Sequence, residues 1–375
     1  MRSLATIAPT LLLLVLPALA QEPALEGQTV RVATWNLLHA ARRNDERLAL
    51  VAAELAPLAV DALGLQEASR SLLLARRSRA RVLGEALGLS SVYRMSDGVP
   101  FLWDEGPAVL VRGPLVRTAR ARLAHSWPVP FEARTVLLAE TRLLQGALPF
   151  CLASTHLGLA GEVENLEQAL DALELVAREA LARGVPAVLV GDLNAEAGHL
   201  ALRALTGRLL GGEPPLLDAW RATRGDESGL TSDPSGDDPA LRIDYVLVLR
   251  GTDPALRPVS ARLLGEEGPA RAASDHRGVL VELQVERPGA GITAALAGGD
   301  APGTSAPASQ AEVLLARIAR LRERISALRA EARRELLDEA RVAHGPEPLA
   351  ARDEVEPGAR EVRARLLTKV LAALR

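Results

Sequence analysis

The spacing of apolar and polar positions divides the chain into stretches of different character. From Val30 to Trp35 the two alternate with period two, which predicts a strand. Asn44-Asp45-Glu46 has the residues of a helix cap and an acidic first turn. They lead into a helix over Leu48 to Leu55, which Pro57 ends. Val185 to Val190 is short and wholly apolar, as expected of a buried central strand. Leu148–Ala153, Ile243–Leu249 and Val279–Val285 are further strands, and Glu162 to Arg183 carries an amphipathic helix between two strands. Strands interspersed with helices over residues 28–286 predict sheets covered by helices, an α/β domain.

Both ends of the chain read differently. Residues 1–20 run from Arg2 through the apolar stretch Leu11 to Leu16 to Ala18-Leu19-Ala20, the pattern of a cleaved secretory signal peptide. This predicts a secreted or periplasmic protein. Gln21 stands where a lipoprotein would have Cys, and no segment of the mature chain is long and apolar enough for a transmembrane span. Residues 288–310, rich in Gly, Ala, Ser and Pro, predict a flexible linker. Over residues 311–375 the period becomes helical. Leu314, Ile318, Leu321, Ile325, Leu328 and Ala332 form an a/d stripe, and Val362, Leu366, Leu367, Val370, Leu371 and Leu374 a second apolar face. The stripe spans under three heptads, so two outcomes stay open. One is a helical hairpin packed on itself or on the domain. The other is a short coiled coil that makes a homodimer or docks a partner.

Composition narrows the function classes. With 48% hydrophobic and 24% charged residues the chain is expected to fold. Its net charge of −3 gives no global pull toward nucleic acid or anionic membrane. Aromatics at 2% argue against a surface built on stacked bases. A single cysteine, Cys151, excludes an intrachain disulfide and a cysteine zinc cluster, and its apolar setting predicts a buried thiol.

Candidate chemistry lies where the strands end. Asn36, Glu67, His156, Asp192, Asn194, Asp244, Asp275 and His276 each sit at or beside such an end. A lone strand-end Asp is ordinarily a cap or turn residue, and a lone His a structural one. Six such places built only from metal-binding and acid–base residue types point instead to phosphoester hydrolysis. Carboxylates are hard oxygen ligands for Mg²⁺, and such an ion offsets charge growing on phosphoryl oxygens. An Asp beside an Asn can take a proton from water while the Asn orients it. A His paired with an Asp is held in one tautomer and can hydrogen-bond a phosphate.

Thr34-Trp-Asn36, Leu65-Gln-Glu67, Ser154-Thr-His-Leu157, Gly191-Asp-Leu-Asn194, Arg242-Ile-Asp-Tyr245 and Ser274-Asp-His276 resemble the ordered motifs of the endonuclease/exonuclease/phosphatase superfamily. That superfamily includes deoxyribonucleases, AP endonucleases, inositol-polyphosphate 5-phosphatases and neutral sphingomyelinases. The resemblance covers residues 28–286. It implies a four-layer sandwich of two central β-sheets flanked by helices, with a cleft at one edge. It also implies that Asn36 and Glu67 hold Mg²⁺ (Mn²⁺ or Ca²⁺ in its place), with Asp275 sharing it. Asp192 would position or deprotonate the attacking water, Asn194 would orient water and phosphate, and His156 would act as general acid or contact the phosphate. His276, supported by Asp244, would contact the phosphate from the other side. Asp218-Ala-Trp220 and Gly229-Leu-Thr231 fall where similar proteins carry such residues. Glu105 falls one residue away from a Glu that supports the motif His in deoxyribonucleases.

Leu38, where AP endonucleases have an Asp, and the presence of His156 argue against abasic-site repair. Nucleic acid leads as the substrate, ahead of phospholipid or a phosphorylated small molecule. Residues 21–287 carry 29 Arg against 35 acidic residues, so a nucleic-acid track would need a local basic patch. Arg70, Arg76, Arg77, Arg79 and Arg81 are the candidates; rimming the cleft they would receive nucleic acid or a phosphorylated head group, with Arg70, just after Glu67, binding substrate. Their alternative is a solvated helix face. A non-catalytic binding module with an interaction tail would be marked by a missing motif residue, and none is missing.

Overall fold

The computed structural model describes residues 25–38, 44–70, 77–99, 103–125, 133–232, 240–286, 309–344 and 359–374. The signal-peptide segment, the linker up to residue 308, Arg76 and the side chain of Arg70 lie outside the described residues. Strands are numbered in chain order. The first sheet contains β1 (Thr29–Asn36), β2 (Ala62–Arg70), β3 (Ser90–Tyr93), β4 (Asp97–Val99) and β5 (Trp103–Val111). The second contains β6 (Arg117–Arg122), β7 (Thr135–Leu143), β8 (Leu148–His156), β9 (Ala187–Asp192), β10 (Leu216–Asp218) and β11 (Asp244–Leu249). Then β12 (Ala255–Leu264) and β13 (Gly278–Glu286) return to the first sheet. The first sheet runs β12-β13-β1-β2-β5-β3, with β4 also on β5, and the second runs β10-β11-β9-β8-β7-β6.

The sheets pack face to face over alternating apolar residues, among them Val30, Val109, Phe150, Leu152, Val188, Val246 and Val281. Strand alternation sends every second side chain into this layer. The opposite face of the first sheet carries α1 (Asn44–Leu55) and α2 (Arg79–Leu87), packed through Trp35, Val51, Leu55, Leu63 and Leu83. The second sheet carries α3 (Glu162–Glu179) and α4 (Leu200–Leu205), while α5 (Ala219–Arg224) lies against β12. This is the two-sheet sandwich flanked by helices that the motifs imply. The buried strand expected over Val185–Val190 is shifted, to Ala187–Asp192. Parallel pairing with β8 continues to His156↔Asp192 and carries Gly191 and Asp192 into the strand.

Two glycines mark close approaches. A Cβ on Gly64 would lie 2.1 Å from Val190 Cγ2 across the sheets, and one on Gly191 1.9 Å from the Thr155 carbonyl oxygen. Cys151 is buried, and burial pushes its thiol up to about 12, which leaves it inert.

Two further helices, α6 (Gln310–His344) and α7 (Ala359–Ala373), complete the described chain. The first begins at the last residue read as linker because Ser309 and Glu312 form a capping box. Glu312 N donates to Ser309 Oγ at 3.2 Å, and Ser309 N to Glu312 Oε2 at 2.6 Å. Leu314, Ile318, Leu321 and Ile325 are buried in the same cluster as the α3 residues Leu166, Leu170 and Leu173, together with Leu366 and Val370 of α7. Arg329 bonds Glu167 at 2.6 Å, and Arg322 pairs with Asp171 and Glu174. The a/d stripe is thus covered within one chain by α3 and α7. No helix among the described residues is long and apolar enough to cross a membrane.

Candidate active site

Register brings the polar strand ends to one edge. β1 and β2 are parallel, as are β8 and β9, so Asn36, Glu67, His156 and Asp192 all emerge on the same side. β11 runs antiparallel to β9 with Asp244 opposite Asp192. β13 runs antiparallel to β1, with Thr34 opposite Val279, so His276 lies beside the end of β1. Three residues at this edge are non-glycines with positive φ: Leu38 (50°), Glu67 (51°) and Asn194 (44°). Glu67 sits where the β2–β5 register slips between Leu65 and Ala68, a bulge that redirects its side chain.

The side chains form one network. Asn36 Nδ2 donates to Glu67 Oε1 at 3.1 Å and to Asp192 Oδ2 at 3.0 Å, while its Oδ1 accepts from Leu38 N. Asp192 Oδ1 accepts from Asn194 N at 2.9 Å, and Oδ2 faces His156 Nε2 at 3.4 Å and His276 Nε2 at 3.7 Å. His276 Nδ1 donates to Asp244 Oδ2 at 2.9 Å. On the opposite side Asn194 Nδ2 lies 3.1 Å from His156 Nε2.

Burial and proximity set the charges. Burial first, then the Asp244 carboxylate, push Asp192 up to about 7. For His276, burial alone would lower the pKa. The Asp244 charge and hydrogen bond, with help from Asp192, override it and raise the ring to about 10. Near neutrality His276 is therefore an imidazolium whose Nε2–H points into the site.

Seven of the residues read from the sequence (Asn36, Glu67, His156, Asp192, Asn194, Asp244 and His276) meet in this network. Asp275 stands at its margin. It accepts from Ser274 Oγ at 3.2 Å, and its charge acts on His276 and on Arg47 of α1. The arginine run separates into different roles. Arg77 and Arg81 both pair with Glu85, at 2.7 and 2.9 Å, on a solvated helix face. Arg79 is buried beside Arg47 and within electrostatic reach of Glu67. Arg70 ends β2 opposite Asp104. Glu105 is linked to the motif His through Arg134. That arginine is 3.4 Å from Glu105 Oε1 and 3.3 Å from His156 Nδ1.

Other residues, given no individual role from the sequence, brace the site. Buried Gln66 accepts from Thr34 Oγ1 at 3.2 Å and donates to Ser154 Oγ at 3.1 Å, which ties the two sheets together beneath Glu67 and His156. Ser274 Oγ donates to the Asn36 carbonyl at 2.7 Å, and Trp35 Nε1 to the His276 carbonyl at 3.0 Å. Thr231 Oγ1 accepts from Asp244 N at 3.2 Å. Asp218 caps α5 and bonds Arg242 at 2.6 and 3.2 Å, and that guanidinium lies 4.5 Å from the Tyr245 ring centroid. Gln66, Ser154 and Ser274 stand inside the motifs. Their proximity to Glu67, His156 and Asn36 was the only sequence signal available.

The donors suit a hard divalent cation. Asp192, Asp244 and His276 place one ligand atom each within 4.8 Å of one another. Asp244 Oδ1 is buried with no hydrogen-bond partner. His276 Nδ1, however, is already committed to Asp244. The Asp192 and Asp244 carboxylates remain as oxygen donors, and Glu67 adjoins them through Asn36.

A two-sheet sandwich with an acid–base and oxygen-donor cluster on its edge is a phosphoesterase fold. The chain belongs to the Endonuclease/Exonuclease/phosphatase family, whose model matches residues 33–276. Among solved structures it is similar to a family protein from Leptotrichia buccalis C-1013-b (18% identity, TM-score 0.55, 68% of this chain and 99% of that one). It is also similar to a mannosyl-6-phosphatase from Bacteroides thetaiotaomicron VPI-5482 (20%, 0.53, 68% and 99%). A third is the human Nocturnin catalytic domain with bound sulfate anion (21%, 0.54, 68% and 94%). No curated protein matches the chain.

Proposed function

We propose that the chain is an exported, Mg²⁺-dependent phosphoester hydrolase that directs a water molecule at phosphorus. The observation that carries this reading is the arrangement around Asp192. A carboxylate fixed by Asn36 and Asn194 lies between His156 and an Asp244-supported imidazolium, His276. Glu67, with Asn36 and Asp275, would hold the ion, which when bound offsets charge growing on the phosphoryl oxygens. Asp192 accepts the proton of the attacking water. Asn194 orients that water, and His276 and His156 donate hydrogen bonds to phosphoryl oxygens from opposite sides. The export part rests on residues 1–20.

Nucleic acid leads as substrate from the sequence. One observation favours a second reading, a compact phosphoester. Arg79 is buried, and the exposed Arg77 and Arg81 share Glu85, so these three offer little free positive charge as a track for a nucleic-acid backbone. The test is a panel with the purified chain and Mg²⁺: supercoiled plasmid, sphingomyelin vesicles, bis(4-nitrophenyl) phosphate and 4-nitrophenyl phosphate. Hydrolysis of at least one, abolished by EDTA and restored by Mg²⁺, is the expected result. Nicking of plasmid supports the nuclease reading, and turnover of the small esters alone supports the compact one. Hydrolysis that EDTA leaves intact would contradict metal dependence.

A further inference from the structure

Arg134 lies just before β7, nearly buried between two residues of the site. Its Nη1 is 3.3 Å from His156 Nδ1 and 3.4 Å from Glu105 Oε1. A guanidinium N–H can only donate, so a bond to Nδ1 requires that nitrogen to accept and to carry no proton. The ring proton then sits on Nε2, which faces Asp192 Oδ2 at 3.4 Å. The Asn194 amide nitrogen, 3.1 Å from Nε2, would favour the opposite tautomer if it donated there. The two contacts therefore compete. The guanidinium is charged, and charge-assisted bonds are roughly twice as strong as neutral ones. Asn194 Nδ2 also has another acceptor, the Leu157 carbonyl oxygen at 2.8 Å. The charged contact decides.

We propose that Arg134 is a positioning residue: held by Glu105, it fixes His156 as the Nε2–H tautomer, so that the ring presents one N–H beside Asp192 where a phosphoryl oxygen would sit. The tautomer is independent of substrate, whereas its effect on turnover rests on the hydrolase reading. An arginine in this place does what a carboxylate on Nδ1 could not. A carboxylate would draw a proton to Nδ1, and the arginine keeps one away.

In the full chain labelled with ¹⁵N-histidine, the His156 ring is identified by its loss in His156→Gln. It is expected to show a protonated Nε2 and a bare Nδ1 near neutral pH. Arg134→Met is expected to shift it toward the Nδ1–H form, and Arg134→Lys, which keeps a charged donor, to restore part of the original pattern. Glu105→Gln, which loosens the guanidinium without deleting it, serves if Arg134→Met fails to fold. With bis(4-nitrophenyl) phosphate and Mg²⁺, Arg134→Met should lower kcat by about 10- to 100-fold, with KM within roughly twofold. A wild-type His156 protonated on Nδ1, or a ring whose spectrum Arg134→Met and Glu105→Gln leave unchanged, overturns the proposal. A wild-type chain that hydrolyses none of the four panel substrates would count against the hydrolase reading, and the spectra would still decide the tautomer.

Discussion

Two carboxylates and an imidazole share one buried corner, and their protonation governs what the site can do. The Asp244–His276 pair carries most of that burden. Removing the charge with Asp244→Asn takes away the main influence that raises the ring and leaves burial, which lowers it. The ring is expected to deprotonate near pH 10 in the metal-free wild-type chain and well below that in Asp244→Asn, as read by ¹⁵N titration of His276. Equal values in the two chains would contradict the pairing. The sign for stability follows from the raised folded value. The stabilisation that this proton brings is fully present below the ordinary histidine value of 6.5 and is lost as pH rises through about 10. At this scale much was legible, because Asp192, Asp244 and His276 are polar residues at the ends of apolar runs. Arg134 was not. Its meaning depends on the contacts its long side chain makes with Glu105 and His156 across the molecule, and sequence spacing does not carry these.

At the scale of elements, the site depends on how closely and in what register the strands lie. Gly64 sits where β2 presses on Val190 of β9, and Gly191 lets β9 run against Thr155 one residue before Asp192. Gly64→Ala would place a methyl group into Val190, an overpacking expected to destabilise the chain by about 1–3 kcal/mol. Chemical denaturation checks this, and an unchanged midpoint would show that the sheets have room. The strands themselves were readable from their apolar runs. Their register was not, so the bulge at Glu67 and the Gln66–Ser154 tie appear only in three dimensions. The a/d stripe of α6 shows the same limit from another side. Its spacing shows that one face is apolar and leaves open what covers it. Here the cover is α3 and α7, fastened by Arg322 and Arg329.

At the scale of the molecule, two sheets with helices outside them leave one edge where parallel strands end, and the cluster stands there. The architecture explains why residues up to 240 positions apart in sequence, from Asn36 to His276, form one set of hydrogen bonds and ion pairs. The six motifs gave that set as a resemblance, and the register gives it a cause. Of the arginine run, Arg77 and Arg81 lie on the solvated face that the sequence left open, and Arg79 is buried within electrostatic reach of Glu67.

The central claim is that Asp192 takes the proton of a water attacking phosphorus. The direct measurement is the Mg²⁺-dependent hydrolysis rate of the wild-type chain beside Asp192→Asn, on whichever substrate the panel identifies, with both chains shown to be folded by their unfolding transitions. The expected result is a loss in kcat of at least about 100-fold, the lower end of what a positioned general base contributes, with the fold intact. A folded Asp192→Asn chain that turns over at the wild-type rate would contradict the account.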